Sequence, residues 1–209
     1  MAGISNNFQN SCINDALSGK INFLGPKYWI LRPEFLELKA KVKKIKNVKN
    51  ILLIFGGSDP SNFSSKVVDA ILDMPVGFNL SLVLGAGFIH EKELNNTIKY
   101  NTSLTSIDTY KNVSNVAEMM SRSDVVFASP GLTYFESLAV GTPVLGFHQN
   151  TMQKDVFNKH LPTLGLENLD SLYEIIKNNE FIFPNDPFIE KMKIGQGITE
   201  IIDQILVAR

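Results

Sequence analysis

Short apolar runs alternate with amphipathic segments from Asn50 to the end of the chain. An unbroken apolar run is typical of a strand buried on both faces, and apolar residues three or four positions apart indicate a helix. The predicted strands lie at 50–57, 79–88, 105–110, 124–130 and 143–150, and the predicted helices at 61–74, 90–100, 112–123, 132–141, 151–161, 169–179 and 186–209. Strands joined by helices in this order predict an α/β fold, a doubly wound, Rossmann-like parallel sheet flanked by helices.

The part of the chain before Asn50 is less regular. Its first twenty residues are rich in Asn and Ser, and a segment with two prolines and a tryptophan follows. Six lysines between Lys39 and Lys49 fit either a phosphate-contacting patch or the solvated face of a helix, and the second interpretation is favoured because the chain as a whole is not basic. The expected organisation is a weakly anchored lead-in at 1–24, a connector at 25–49 and the sheet domain at 50–209.

Composition and charge limit the kinds of partner that the chain is expected to bind. The chain has 209 residues, 44% of them hydrophobic, and its 20 Lys and Arg against 21 Asp and Glu give a net charge of −1. This balance offers no global reason to bind nucleic acid, and no apolar run approaches the ~20 residues that span a bilayer. The start of the chain lacks a signal-peptide pattern, and the single Cys12 excludes an internal disulfide. We therefore expect a cytoplasmic protein without membrane insertion, and the spacing of His, Cys and acidic residues predicts neither a metal site nor a cofactor.

In an open parallel sheet, ligands bind beyond the carboxyl ends of the strands. The first such loop, 55–62, contains Gly56 and Gly57 for a tight turn, followed by Ser58, Asp59 and Ser61 as candidate caps of the next helix. A helix start of this kind presents N–H groups to a phosphate. The loop is neither a Walker sequence nor a GxGxxG turn, so a turn required only by packing fits it equally well.

The second loop, which follows the run 124–130, carries more chemistry. The backbone N–H groups of Gly131 to Thr133 open a helix and suit a diphosphate, and Glu136 lies one turn further along. A carboxylate accepts two hydrogen bonds at once, which suits a ribose diol. Taken alone, Glu136 is better interpreted as an ordinary exposed helix glutamate.

These residues carry a family resemblance. The order GGSD at 56–59 followed by residues 112–153 resembles the carboxyl-terminal domain of the GT-B superfamily of nucleotide-sugar enzymes. More narrowly, GPKYWILRPEFLE at 25–37 with ILLIFGGSDPSN at 51–62 resembles the PseG-like UDP-sugar hydrolase family of pseudaminic acid synthesis and its relatives in spore-coat and surface-polysaccharide synthesis.

The resemblance implies a UDP-sugar ligand and a role for each matching residue. It places the ribose at Glu136 and the uracil at the backbone of the segment from Tyr110 to Val113. It assigns diphosphate contacts to the turn and helix start, and sugar or diphosphate contacts to an Asn-Gln group after the following strand. The further residues so assigned are Gly131, Leu132, Thr133, Gln149, Asn150 and Gln153, and the first loop adds Gly56, Gly57 and Ser58 as nucleotide-binding candidates.

Two segments depart from the family pattern. Pro130, Gly131, Leu132 and Thr133 replace the usual Gly-Gly-Ser-Thr, which removes a serine from the expected phosphate contact, and KIGQG at 193–197 lacks the full Asp-Gly-x-Gly pattern.

The catalytic base is the larger departure. In the enzymes resembled, a histidine on an amino-terminal glycine-rich loop activates water, and no such loop precedes Gly25. We therefore expect the nucleotide-binding half of a two-domain enzyme, which binds its ligand and does not turn it over without an amino-terminal domain as partner. His148 is the histidine placed to contact a ligand and is a weak candidate base, whereas His90 and His160 are expected at the surface.

Three functions remain open at this point: a nucleotide-sugar hydrolase of surface-polysaccharide synthesis, the donor-binding half of a GT-B glycosyltransferase, and a non-catalytic sugar-nucleotide-binding module. Arg32 also has two interpretations. It either reaches a phosphate or glycosyl group at an interdomain cleft, or locks the connector by pairing with Glu34 or Glu37, and the locking role is favoured. Tyr28 and Trp29 are expected to pack the connector.

Overall fold

Two short antiparallel strands precede the main sheet. The computed structural model describes residues 11–15, 20–38, 45–99, 101, 104–157 and 161–207. Within them β1 (Ser11–Asp15) pairs with β2 (Lys20–Leu24), with Ser11 opposite Leu24 and Asp15 opposite Lys20. Part of the predicted lead-in is therefore a hairpin, which the sequence analysis missed because its strands carry no long apolar run.

The main sheet of the described residues has six parallel strands in the order β5-β4-β3-β6-β7-β8. This order is that of the Rossmann fold, in which the chain adds strands to one side of a central strand and then to the other. The predicted α/β architecture is confirmed. The strands are β3 (Asn50–Ile54), β4 (Asn79–Leu84), β5 (Ser106–Lys111), β6 (Val125–Ala128), β7 (Val144–Phe147) and β8 (Thr163–Leu164).

Helices cover both faces of this sheet. Central strand β3 alternates between the two layers, because Ile51 and Leu53 pack into one hydrophobic cluster and Leu52 and Ile54 into the other. A strand buried on both faces needs apolar residues at every position, which explains its unbroken run. The helices are α1 (Pro33–Glu37), α2 (Phe63–Leu72), α3 (Glu91–Lys99), α4 (Val116–Arg122), α5 (Leu132–Val140), α6 (Thr151–Phe157), α7 (Leu172–Lys177), α8 (Pro187–Met192) and α9 (Ile198–Val207).

The element boundaries differ from the predicted ones in a consistent way. Strands β3, β4, β6 and β7 end two to four residues before their apolar runs do, since the last residues of each run turn into the loop at the carboxyl edge, whereas β5 ends one residue beyond its predicted end. The two-residue strand β8 at Thr163–Leu164 was not predicted, being too short to give a pattern. Most of the lysine-rich segment, residues 39–44, lies outside the described residues, and residues 45–49 form no helix. Among the described residues, no helix is both long and apolar enough to cross a bilayer.

The first half of the connector packs against α5. Leu31 and Phe35 are 2% and 0% exposed, and the ring of Trp29 meets that of Phe135 edge to face at 4.5 Å. This confirms the expected packing of Trp29.

The carboxyl-terminal segment holds the connector from the other side. The Gly195 and Gly197 amides donate to the Pro26 and Lys27 carbonyls at 3.0 and 2.8 Å, and a Cβ on Gly197 would overlap the ring of Tyr28. The glycines that interrupt the final helical pattern thus allow this close approach.

We expect Phe35→Ala to lower the free energy of unfolding by about 3–5 kcal/mol, the usual cost of emptying a buried phenylalanine site. Ile30→Ala, in the same segment but at a side chain 73% exposed, should change it by no more than about 0.5 kcal/mol. Urea unfolding followed by circular dichroism measures both. Equal, small effects would contradict the packing of the connector on α5.

Candidate functional site

The strand order reverses at β3, which pairs with β4 on one side and β6 on the other. The connections after β3 and β6 leave in opposite directions, and the crevice between them is where open α/β sheets bind ligands. The two loops that the sequence analysis selected, 55–62 and 129–131, are the two loops that border this crevice.

Side-chain amides join three loops at the crevice. The Gln149 Nε2 group donates to the Phe55 carbonyl at 3.0 Å and to the Ser129 hydroxyl, so one residue after β7 contacts the loops after β3 and β6. The Gln153 side chain accepts from the Gln149 backbone at 2.7 Å and donates to the Pro130 carbonyl at 3.3 Å. Gln149 and Gln153 therefore fix the shape of the crevice.

Helix α2 is capped by its own loop. The buried Asp59 carboxylate accepts from the amides of Phe63 and Ser64 at 2.8 and 2.7 Å, and Asn62 accepts from Ser65 at 3.4 Å. Asp59 thus caps α2, as expected. Its negative charge lies at the start of the helix, where an anionic ligand would otherwise bind. Any ligand contact in this loop falls to the exposed turn of Gly56, Gly57 and Ser58, where a Cβ on either glycine would meet no atom within 4 Å.

The loop after β4 packs against the turn of Gly56, Gly57 and Ser58. The Gly87 amide donates to the Gly57 carbonyl at 2.9 Å, and a Cβ added to Gly85 would overlap the Gly57 backbone. The absence of a side chain at Gly85 therefore sets the position of the 55–62 loop.

The start of α5 differs from that of α2. Its N-cap residue, Gly131, supplies no side-chain hydrogen bond, and a Cβ there would meet no atom within 4 Å. Leu132 is 52% exposed and Thr133 is half-buried. The start of this nine-residue helix thus lies at the surface without a capping side chain on Gly131, and it carries the positive end of the helix dipole.

Glu136 is buried, with only 8% of its surface exposed. The reading of Glu136 as an ordinary exposed glutamate is therefore wrong. Its carboxylate lies 3.6 Å from the Arg32 guanidinium, which also pairs with Glu34 at 3.2 Å. Burial raises the pKa of the Glu136 carboxyl, while the positive charge of Arg32 acts in the opposite direction.

The predicted pairing of Arg32 with Glu34 is present, and its locking role stays a prediction. The contact with Glu136 was missed, because no local spacing relates two residues that meet only when the connector packs on α5.

His148 lies in a cleft of 270 Å³ beyond β7 and β8. Its Nδ1 is 3.0 Å from the Thr163 hydroxyl, and its Nε2 is 3.8 Å from the Glu167 carboxylate. Burial lowers the pKa of the imidazole below its usual 6.5, so the ring is neutral at pH 7. The cleft is lined by Ser61, Phe63, His148, Gln149, Asn150, Thr151, Lys154, Leu166 and Glu167.

The remaining predicted residues lie around this edge of the sheet. Tyr110 is at the carboxyl end of β5, and Val113 follows in the loop that leads to α4. His90 is half-buried with its ring 5.8 Å from that of Phe88, so the prediction of a surface position is only partly met. His160 lies outside the described residues. The described residues contain no group of three or more His, Cys, Asp or Glu side chains that would hold a metal ion.

The chain is similar in sequence to two curated proteins, from an archaeon and a bacterium. No protein-family model matches it. It is 38% identical over 205 residues to an uncharacterized protein of Methanocaldococcus jannaschii, a match that covers 97% of this chain and 41% of the relative. It is 28% identical over 127 residues to the spore coat polysaccharide biosynthesis protein SpsG of Bacillus subtilis, covering 60% of this chain and 37% of SpsG. The chain therefore spans less than half the length of either relative.

The crystal structure of Acinetobacter baumannii MurG has a similar fold. The match has a TM-score of 0.58 at 14% identity and covers 86% of this chain and 54% of MurG. The parallel six-stranded sheet with flanking helices thus matches the fold of this structure, which is of the GT-B type. The broad resemblance to the GT-B fold and to a spore-coat relative is confirmed, whereas the narrower hydrolase resemblance stays a prediction.

We expect Gly85→Ala to lower the free energy of unfolding by about 1–3 kcal/mol, because the new methyl group forces the 55–62 loop outward. Gly57→Ala places its methyl group in open space and should change stability by no more than about 0.5 kcal/mol. Chemical denaturation compares the two. A Gly85→Ala protein as stable as the wild type would show that the two glycine loops are not in contact.

A second prediction concerns His148. In an NMR titration its imidazole should have a pKa below 6.5, and Glu167→Gln should lower it further, because the Glu167 charge favours the protonated ring. Glu174→Gln, at an exposed glutamate paired with Lys177, is the matched control.

The lowered pKa of His148 also determines how the stability of the fold changes with pH. The unfolded chain binds the proton more readily, so the contribution of His148 to stability falls as the pH drops below about 6.5. A His148 pKa above 6.5 would exclude the buried position.

Proposed function

We propose that this chain is the nucleotide-sugar-binding domain of an enzyme of surface-polysaccharide synthesis, and that UDP-sugar binds in the crevice at the reversal of strand order. The observation that carries the proposal is a buried, Arg-paired Glu136 one turn from the open start of α5. Residues three positions apart on a helix share a face, so Thr133 and Glu136 are neighbours along the path of a bound nucleotide.

In this proposal the diphosphate lies against the start of α5. The N–H groups of Gly131, Leu132 and Thr133 donate to it, and the helix dipole favours its negative charge. Glu136 accepts from the two ribose hydroxyls. The exposed turn at Gly56 to Ser58 closes the opposite side of the crevice.

The base and the sugar extend in opposite directions from this point. Uracil lies towards the segment from Tyr110 to Val113, which enters α4, a helix that packs on α5. The sugar lies towards Asn150 and the cleft around His148. The hydrogen bonds of Gln149 and Gln153 to the loops occupy part of each side-chain amide, so these residues bind the ligand only through the remaining amide groups.

The proposed reaction is hydrolysis of the bond between the sugar and the nucleotide. Water attacks the anomeric carbon, its proton goes to a general base, and UDP departs with the bonding electron pair. The start of α5 stabilises the charge that develops on the diphosphate. The base is supplied by a further domain, or, within this chain, by His148, whose neutral imidazole is in the form that accepts a proton.

The similarity to SpsG, a spore coat polysaccharide biosynthesis protein, supports a place in polysaccharide synthesis. A glycosyltransferase would use the same nucleotide site with a sugar acceptor in place of water, and a binding module would use it without a reaction. Release of free sugar in the absence of an acceptor identifies a hydrolase.

Calorimetry tests the nucleotide assignment. We expect Glu136→Gln to weaken UDP binding about tenfold or more, since a charge-assisted hydrogen bond is worth about 1.5–3 kcal/mol. Binding of uracil alone should not change. Glu118→Gln, at an exposed glutamate on α4, is the matched control and should bind UDP as the wild type does.

Two results would contradict the proposal. The absence of heat with millimolar UDP would exclude the nucleotide, and an equal loss of UDP and uracil affinity would exclude a ribose contact at Glu136.

A further inference from the structure

The backbone of Arg32 is fixed by the residues on either side of it. Leu31 and Phe35 are 2% and 0% exposed and pack into the same hydrophobic cluster as α5. Arg32 itself is the N-cap residue of α1, with φ −63° and ψ 142°, and Pro33 follows. The backbone position from which the Arg32 side chain extends is therefore fixed relative to α5.

The guanidinium group makes three contacts. It lies 3.6 Å from the Glu136 carboxylate, 3.2 Å from Glu34 and 4.5 Å from the centre of the Phe35 ring. The Glu136 side chain is 11% exposed, whereas that of Arg32 is 52% exposed. The guanidinium is therefore much more exposed than the carboxylate that it pairs with.

Arg32 and Glu34 are the charged groups that act most on the Glu136 carboxyl, with opposite signs. The neighbouring elements add little. Glu37 lies at the end of α1, and Glu118 and Arg122 of α4 pair with each other at 3.3 Å. Strands β6 and β7, which also contact α5, carry no ionisable side chain. Arg32 is therefore the cation that compensates the buried charge.

We propose that Arg32 is a positioning residue. It holds the Glu136 carboxylate ionised and aims it at the ribose hydroxyls of the nucleotide. The connector then forms part of the nucleotide site, together with the Rossmann core. The inference deepens the proposed function, because it rests on Glu136 as the ribose ligand. An ionised carboxylate accepts both ribose hydrogen bonds, whereas a protonated one donates its own hydrogen to a neighbour and binds the diol less strongly.

The ionisation of Glu136 is measured first, without any nucleotide. We expect the carboxyl of Glu136, observed by carbon-13 NMR and assigned from its loss in Glu136→Gln, to titrate about one pH unit or more higher in Arg32→Gln. Arg32→Lys should restore most of the difference, because it keeps the charge but loses the planar fork. Arg122→Gln, which removes an arginine paired with Glu118, is the matched control. An unchanged titration in Arg32→Gln would overturn the proposal.

The ribose contact is measured second, as the ratio of the affinities for UDP and 2′,3′-dideoxy-UDP. The ratio cancels the ionisation of the diphosphate itself. The preference for UDP is lost as the pH falls through the pKa of Glu136, so Arg32→Gln should lose it about one pH unit higher than the wild type. Arg32→Lys should again lie near the wild type.

The possible outcomes separate the two proposals. An identical pH profile in Arg32→Gln and the wild type, with UDP bound, would overturn the role of Arg32 and leave the nucleotide site standing. A wild-type chain that binds neither nucleotide would overturn the proposed function and the ribose role with it, while the NMR titration still decides whether Arg32 controls the ionisation of Glu136.

Discussion

Central strand β3 has hydrogen-bonded neighbours on both edges and hydrophobic clusters on both faces, and the arrangement of the site depends on this double burial. Strands β4 and β6 flank β3 on its two edges. The connection that follows β3 therefore runs to one side of the sheet, and the connection that follows β6 runs to the other. A crevice opens there without any special loop sequence. The glycine turn after β3 and the start of α5 face each other for this topological reason.

The two helix starts at the crevice have opposite chemical character. The Asp59 carboxylate accepts hydrogen bonds from the first N–H groups of α2, whereas Gly131 supplies no side-chain hydrogen bond to the start of α5. Gln149 holds the loops in this relation through hydrogen bonds to the Phe55 carbonyl and the Ser129 hydroxyl. The anion-attracting side of the crevice is therefore α5, and the β3 loop acts mainly as a wall.

The connector and the carboxyl-terminal helix extend this site beyond the sheet. Leu31 and Phe35 anchor the connector on α5, and Glu200 of α9 pairs with Lys27 and accepts from the Tyr28 hydroxyl at 2.9 Å. Through these contacts the segment that carries Arg32 is fixed against the helix that carries Glu136. A buried carboxylate without a cation would be protonated more readily, so this packing determines the charge state of the site.

Local pattern was enough to predict five of the six strands of the main sheet and the helices between them, because burial on both faces requires an unbroken apolar run and helical burial requires a spacing of three or four. It also located the candidate loops, since these follow directly from where parallel strands end. Tertiary structure alone decided that Glu136 is buried, that Arg32 neutralises it and that Gln149 joins three loops. Those contacts connect residues far apart in the chain, and only the packing of separate elements brings their charges and hydrogen-bonding groups within reach.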